Sequence, residues 1–235
     1  MTARSNDKKT KAQDDPPKEE QKSVFRDYAE TILVCVIFVI FARSFVFMQS
    51  KIPSGSMEDT LLVGDYIMVN RFVYSPTATA LEKMLLPQRD VRRGDIVVFR
   101  HKLQPEVDYI KRVIGLPGDR LEFFGGYVYR NGDRLDEPHV AADYRVGSPE
   151  IPAVVVPEDH YFVMGDHRNS SSDSREWGAL PAELVKGRAF LIWWSFDESN
   201  PEAYPTWSER MKAWGEKAIH IFGRSRWSRC FDIIR

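Results

Sequence analysis

Asp108-Tyr109-Ile110-Lys111-Arg112-Val113-Ile114-Gly115-Leu116-Pro117-Gly118-Asp119 decides how this chain is read. A run of β-branched and aromatic side chains ends in Gly-Leu-Pro-Gly-Asp, a strand that stops at a turn. Side chains alternate along a strand, so Tyr109, Lys111 and Val113 share one face and Ile110, Arg112 and Ile114 the other. Lys111 then has apolar neighbours on its own face. Desolvation there lowers the pKa of an amine and leaves part of it neutral. A surface lysine on an edge strand has the same spacing and is the plainer reading of this stretch taken alone.

Working outward, the same pattern recurs from Lys51 to about Phe196. Tyr66–Val69, Asp95–Phe99, Val154–Val156, Tyr161–Met164 and Ala189–Trp194 are short β-branched or aromatic runs, punctuated by Arg93-Gly94-Asp95 and Asn131-Gly132-Asp133. This spacing predicts a mainly β domain of short antiparallel strands. The Asn-Gly pair predicts a tight hairpin between Tyr127-Val128-Tyr129 and Arg134-Leu135. A length of 235 residues allows one sizeable domain plus tails. A net charge of −1 gives no reason to expect nucleic acid as a partner. Cys35 lies in the most apolar run and Cys230 near the end, which argues against a disulfide, and two cysteines without CxxC spacing argue against a zinc site. His101, His139, His160 and His220 show no metal-ligand spacing, so no metal is expected.

The ends differ from the middle. Residues 1–27 are polar and charged, and Asp14-Asp15-Pro16-Pro17-Lys18-Glu19-Glu20 reads as part of a disordered tail. Residues 28–48 are apolar on all sides and read as one uncleaved transmembrane helix, in preference to a cleavable signal peptide, for which no convincing small-x-small site follows, or a buried core helix, which would show a polar face. Its uncharged core is short against the ~20 residues a span needs, so Glu30 and Arg43 must lie near the interfaces. Cations including Lys8, Lys9, Lys11, Lys18, Lys22 and Arg26 precede it, which places the N-terminus in the cytoplasm and residues 49–198 outside. Residues 199–235 alternate Trp207, Met211, Trp214 and Ile219 with Lys and Arg. This basic amphipathic tail reads either as a membrane-surface segment or as a helix packed on the domain.

Two further stretches carry polar chemistry. Ile52-Pro53-Ser54-Gly55-Ser56-Met57-Glu58-Asp59-Thr60-Leu61 follows the apolar helix directly. Its small residues permit a ligand to approach the backbone, and a serine there needs an adjacent base to act as a nucleophile. Met164-Gly165-Asp166-His167-Arg168-Asn169-Ser170-Ser171-Ser172-Asp173-Ser174-Arg175-Glu176-Trp177-Gly178 is a dense polar loop between apolar runs, in which Asp173 and Arg175 form a charge-assisted pair. Asp166-His167 invites a Ser–His–Asp reading, against which a turn histidine is the simpler account.

Singly these signals are weak. In this order and behind an apolar helix, the three boxes resemble those of the bacterial type I signal peptidases, Ser–Lys peptidases of family S26. The resemblance covers roughly Ser44 to Phe196. It implies an antiparallel β-sheet catalytic domain behind one transmembrane helix in the bacterial inner membrane. It implies a serine endopeptidase that removes signal peptides from secretory preproteins after Ala-x-Ala, with the lipid bilayer as its other partner and no cofactor. Carried over by position, Ser56 is the nucleophile and Lys111 the general base. Ser54 helps line the oxyanion hole, Ser171 orients the amine, and Asp173 and Arg175 form the supporting pair. Ile52, Pro53, Met57, Leu61, Tyr109 and Ile110 line shallow apolar subsites. The chain departs from the pattern at Asp59, where proline is usual, and at His167, Asn169 and Ser170.

Other classes make different demands. A self-cleaving repressor-type peptidase wants a DNA-binding helix pair in place of the apolar helix, and none is visible. A pilin-maturing transfer peptidase shares the dyad and differs in substrate. A membrane-tethered β-domain that binds secreted chains without cutting them would have no need of Ser56, Lys111 and Ser171 together.

Overall fold

The computed structural model describes residues 24–41, 47–74, 88–102, 104, 106–197 and 207–234. Most of the expected N-terminal tail and the junction at 198–206 lie outside them. The chain divides into two units, Met1–Ile40 and Phe41–Arg235.

The first unit is built on α1, Val24–Phe41. This helix begins ahead of the expected 28 because the polar residues there support a helical turn. Asp27 lies in the first turn, where a negative charge is favoured, and Arg26 pairs with Glu30 at 3.0 Å. Ile32, Leu33, Val34, Val36, Ile37, Phe38 and Val39 are all exposed. No helix among the described residues is long and apolar enough to cross a membrane. At 1.5 Å per residue α1 rises roughly 27 Å, and Arg26, Asp27 and Glu30 occupy its first two turns. The expected helix end at 48 is also corrected. Phe47 and Met48 belong to a strand, paired with Asn70 and Val69, because the sheet satisfies their backbone groups.

The second unit is mainly β. Its strands are β1 (Phe47–Lys51), β2 (Asp65–Asn70), β3 (Ile96–Arg100), β4 (Asp108–Gly115), β5 (Arg120–Phe124), β6 (Tyr127–Arg130), β7 (Asp133–Arg134), β8 (Val154–Val155), β9 (His160–Met164), β10 (Leu180–Pro181), β11 (Val185–Ser195) and β12 (Asp232–Ile233). Between them lie short helices α2 (Ala142–Arg145) and α3 (Ser174–Trp177), and near the end α4 (Trp207–Ile219) and α5 (Ile221–Arg224). The larger sheet runs β1-β2-β11-β3-β4-β9-β10 with β12 added to β11, and the smaller runs β7-β6-β5-β8. The pairings are antiparallel. Asn131 and Gly132 turn β6 into β7 with φ of 54° and 92°, the left-handed pair that a two-residue hairpin needs.

Alternation divides the core as the sequence requires. On β3, Ile96 and Val98 join a cluster with Ile52, Met57, Leu61 and Ile67, while Val97 and Phe99 join Val113, Val163 and Leu180 on the other face. Lys111 stands opposite Val97 and between Tyr109 and Val113, so it emerges from an apolar face. The C-terminal segment does not hang free of the sheet. Arg226 donates to the carbonyls of Val63 (2.5 Å) and Phe196 (2.9 Å), and Arg229 to Asp65 Oδ2 (2.7 Å). Phe99 is fully buried against Tyr109 and Trp177. Phe99→Ala is expected to cost about 3–5 kcal/mol, read as a lowered urea midpoint, and a wild-type midpoint would contradict this core.

Candidate active site

The nucleophile candidate sits on a short 3-10 turn, Gly55–Met57. Two fully buried anchors, Ile52 before it and Met57 after it, fix the turn in the core. Backbone bonds from Ile52 to Asp65 (2.9 Å) and from Leu61 to Met57 (2.8 Å) close it. As the second residue of the turn, Ser56 has an N–H with no acceptor inside it. Asp59 follows with φ of 74°. Proline cannot adopt that angle, so the turn as folded here does not admit proline at position 59.

β4 brings Lys111 to this turn. Its side chain is 3% exposed, and Nζ lies 2.7 Å from Ser56 Oγ. Burial pushes the amine down to about 8; Asp173 and Asp166 pull weakly upward, and Arg175 adds to the lowering. Roughly a tenth of the amine is therefore neutral at pH 7.

The polar loop packs behind the pair. Asp173 is fully buried and fully engaged. It accepts from Gly165 N (3.0 Å), Ser171 Oγ (2.8 Å), and Arg175 through Nε and a terminal nitrogen (2.8 Å each). Arg175 also donates to Ser148 Oγ and to the Arg168 carbonyl (2.7 Å each). The Ser171 hydroxyl thus donates to Asp173, not to the Lys111 amine. It nevertheless lies beside Ser56 across Gly165. A Cβ on Gly165 would meet Ser171 Oγ at 2.2 Å and the Ser56 carbonyl at 2.4 Å. Gly165 is pinned on both sides, since its carbonyl also accepts from Arg168 Nε at 3.1 Å.

A second buried ion pair was not anticipated. Arg112 grips Asp166 through Nε (2.9 Å) and a terminal nitrogen (2.8 Å), and Thr60 Oγ1 donates to the same carboxylate at 2.6 Å. This joins β4, the polar loop and the nucleophile loop at one point. Arg168 and Glu137 form a further buried pair. The signal available was a charged residue, Arg112, in the middle of an apolar strand. Nothing in the sequence names Asp166 or Glu137 as the partner. Asp166 is consequently not part of a triad. His167 turns its Nδ1 to the Gly55 carbonyl and Glu58 Oε2 (3.2 Å each) and stacks on Tyr144, with only its backbone N–H reaching the Ser56 carbonyl. No three His, Cys, Asp or Glu side chains converge as a metal site among the described residues.

A cleft of about 380 Å³ opens at the pair. Pro53, Ser54, Gly55 and Ser56 form one wall, Val107 to Lys111 the other, and Ser170 and Ser172 border it. Pro53, Tyr109 and Ile110 thus line the cleft. Ile52, Met57 and Leu61 do not; they are buried in the core beneath it. Ser54 lines it with a hydroxyl that makes no capping bond. The arrangement offers a hydroxyl, an amine poised to take its proton, and N–H and O–H donors on one wall.

Residues 25–194 match the family described as signal peptidase, peptidase S26. Signal peptidase I of Pseudomonas fluorescens is 34% identical, with 77% of each chain covered. Signal peptidase I of Pseudomonas aeruginosa is 32% identical, again with 77% of each covered. A probable signal peptidase I-2 of Synechocystis sp. is 38% identical over 79% of this chain and 78% of its own. With a match over this much of its length and relatives at these identities, the chain belongs to the signal peptidase family, the serine peptidases of family S26.

Proposed function

We propose that this chain is a membrane-anchored endopeptidase that cuts signal peptides from exported preproteins after small-x-small sites, with Ser56 as nucleophile and Lys111 as general base. The observation that carries the reading is the 2.7 Å contact between a serine hydroxyl and a buried amine whose pKa falls to about 8. Neutral Lys111 takes the Ser56 proton as Oγ attacks the scissile carbonyl carbon. The Ser56 N–H and Ser54 O–H face the developing oxyanion, the kind of donor pair that lowers an acyl-transfer barrier by a few kcal/mol. The Lys111 ammonium then returns the proton to the leaving amine. Water, deprotonated in turn by Lys111, releases the acyl group from Ser56.

Strand geometry supports a peptide substrate. β3 pairs with β4 over Asp108–Arg112, while β9 pairs with β4 only from Arg112 onward. The β9-side edge of residues 108–111 is therefore open along the cleft wall and fits an added extended strand. Tyr109 and Ile110 line that cleft, and small side chains are the ones this reading seats beside them. In this reading the anchor is the apolar part of α1, oriented by the cations before it, and the catalytic domain is extracytoplasmic at the bacterial inner membrane.

Ser56→Ala and Lys111→Ala should each lower preprotein cutting by about 10⁴-fold or more, and retained cutting in either would sink the dyad. Because the neutral amine is the active form, kcat/KM should climb about tenfold per pH unit below a midpoint near 8 and then level. Asp166 raises the Lys111 pKa, so Asp166→Asn should move that acid limb to lower pH, and a limb that moves upward or stays put contradicts the assignment. Gly165→Ala should lower kcat about 10²-fold by forcing the Ser56 and Ser171 walls apart, measured beside a circular dichroism spectrum that reports intact folding.

A further inference from the structure

α4 carries an exposed apolar stripe. Trp207, Met211, Ala218 and Ile219 fall within one stripe at 100° per residue, and all are exposed. Lys217, outside that stripe, is the buried residue among the described side chains of α4. Its Nζ donates to Tyr66 Oη at 2.6 Å and stands 5.3 Å above the Tyr66 ring and 6.0 Å from that of Phe196. A helix of 13 residues has little stability alone, and this contact ties it to the domain.

The exposure is concentrated. From Val107 to Val155 the catalytic domain exposes only Val107, Phe124, Val146 and Val155 among its large apolar residues. The last part of the chain exposes Trp207, Met211, Ile219, Phe222, Trp227, Phe231 and Ile233. Such a concentration marks a surface that something covers. Charge selects the occupant. Residues 207–235 carry seven Lys and Arg against three Asp and Glu, in a chain whose net charge is −1. Arg229 is neutralised by Asp65, and the remaining excess is still positive. Tryptophan at one end of an apolar stripe, low overall hydrophobicity and surrounding cations suit the interface of an anionic bilayer. The segment also lies beyond residue 194, where the family match ends.

We propose that α4 lies flat on an anionic lipid surface, its Trp207–Met211–Ile219 stripe among the acyl chains, as a second attachment of the catalytic domain. The proposal rests on the membrane-anchored reading above, which brings the domain to that surface. The test uses the full chain in vesicles, with Cys35→Ser and Cys230→Ser and a polarity-sensitive fluorophore on Met211→Cys or, as a control, on Val146→Cys. In phosphatidylglycerol-rich vesicles the label at 211 should shift to the blue and be quenched by brominated acyl chains several-fold more than the label at 146. In phosphatidylcholine alone the difference should shrink. A label at 211 that stays water-like overturns the proposal. So does one that is shielded without bromolipid quenching, which would point to α1 or to a second copy as the cover. Preprotein cutting by the same labelled chains reports the peptidase reading separately, and flotation with the vesicles reports the anchor. A chain that floats and cuts with position 211 in water sinks only the role given to α4.

Discussion

A lysine amine that is almost entirely removed from water governs the organisation of this domain. Lys111 leaves an apolar strand face between Tyr109 and Val113 and ends 2.7 Å from a serine hydroxyl. An isolated charge there is costly, and the amine answers by losing its proton more readily. Holding it in place requires rigid support on three sides: the central strand that carries it, the turn that carries Ser56, and the polar loop behind both. Each is anchored differently. The strand is fixed by its ladder to β3, the turn by Ile52 and Met57 in the core, and the loop by ion pairs.

The fold was largely legible because its strands follow simple rules. Alternation along 109–114 placed Lys111 and Val113 on one face, and the structure divides the core along that line. Asn131-Gly132 announced its hairpin because few other pairs tolerate two left-handed residues in succession. The boundaries were less legible. A run of apolar residues says nothing about where a helix hands over to a strand, and Phe47 and Met48 are claimed by β2 through backbone bonds that composition does not encode.

The candidate site was legible in its principals and obscure in its supports. Ser56, Lys111, Asp173 and Arg175 lie in short motifs, and the fold brings them together. Ile52, Met57 and Leu61 have the same apolar character as Pro53, Tyr109 and Ile110, yet only the latter line the cleft. Sequence cannot tell a side chain that lines a wall from one buried beneath it, because both are apolar and both alternate. Arg112 and Asp166 are separated by 54 positions, so their pairing depends on β4 and the 164–175 loop being neighbours. His167 looked like a partner for Asp166 only because it is next to it in the chain.

The two buried pairs also set the electrostatic balance on the amine. A carboxylate near a lysine stabilises its charged form, and both Asp166 and Asp173 act on Lys111 in that sense. Left bare, two such anions beside a buried amine would hold it as an ammonium, useless as a base. Each is instead clasped by an arginine, Arg112 on Asp166 and Arg175 on Asp173, with hydroxyls or backbone N–H groups on the remaining lone pairs. The carboxylates therefore organise the loop while most of their field is spent locally, and desolvation remains the larger influence on Lys111. Breaking such a pair by removing one partner leaves a buried charge uncompensated, which is far worse than the pair itself. The pairs are thus better understood as a way to order a polar loop against a neutral amine without charging it than as a source of stability.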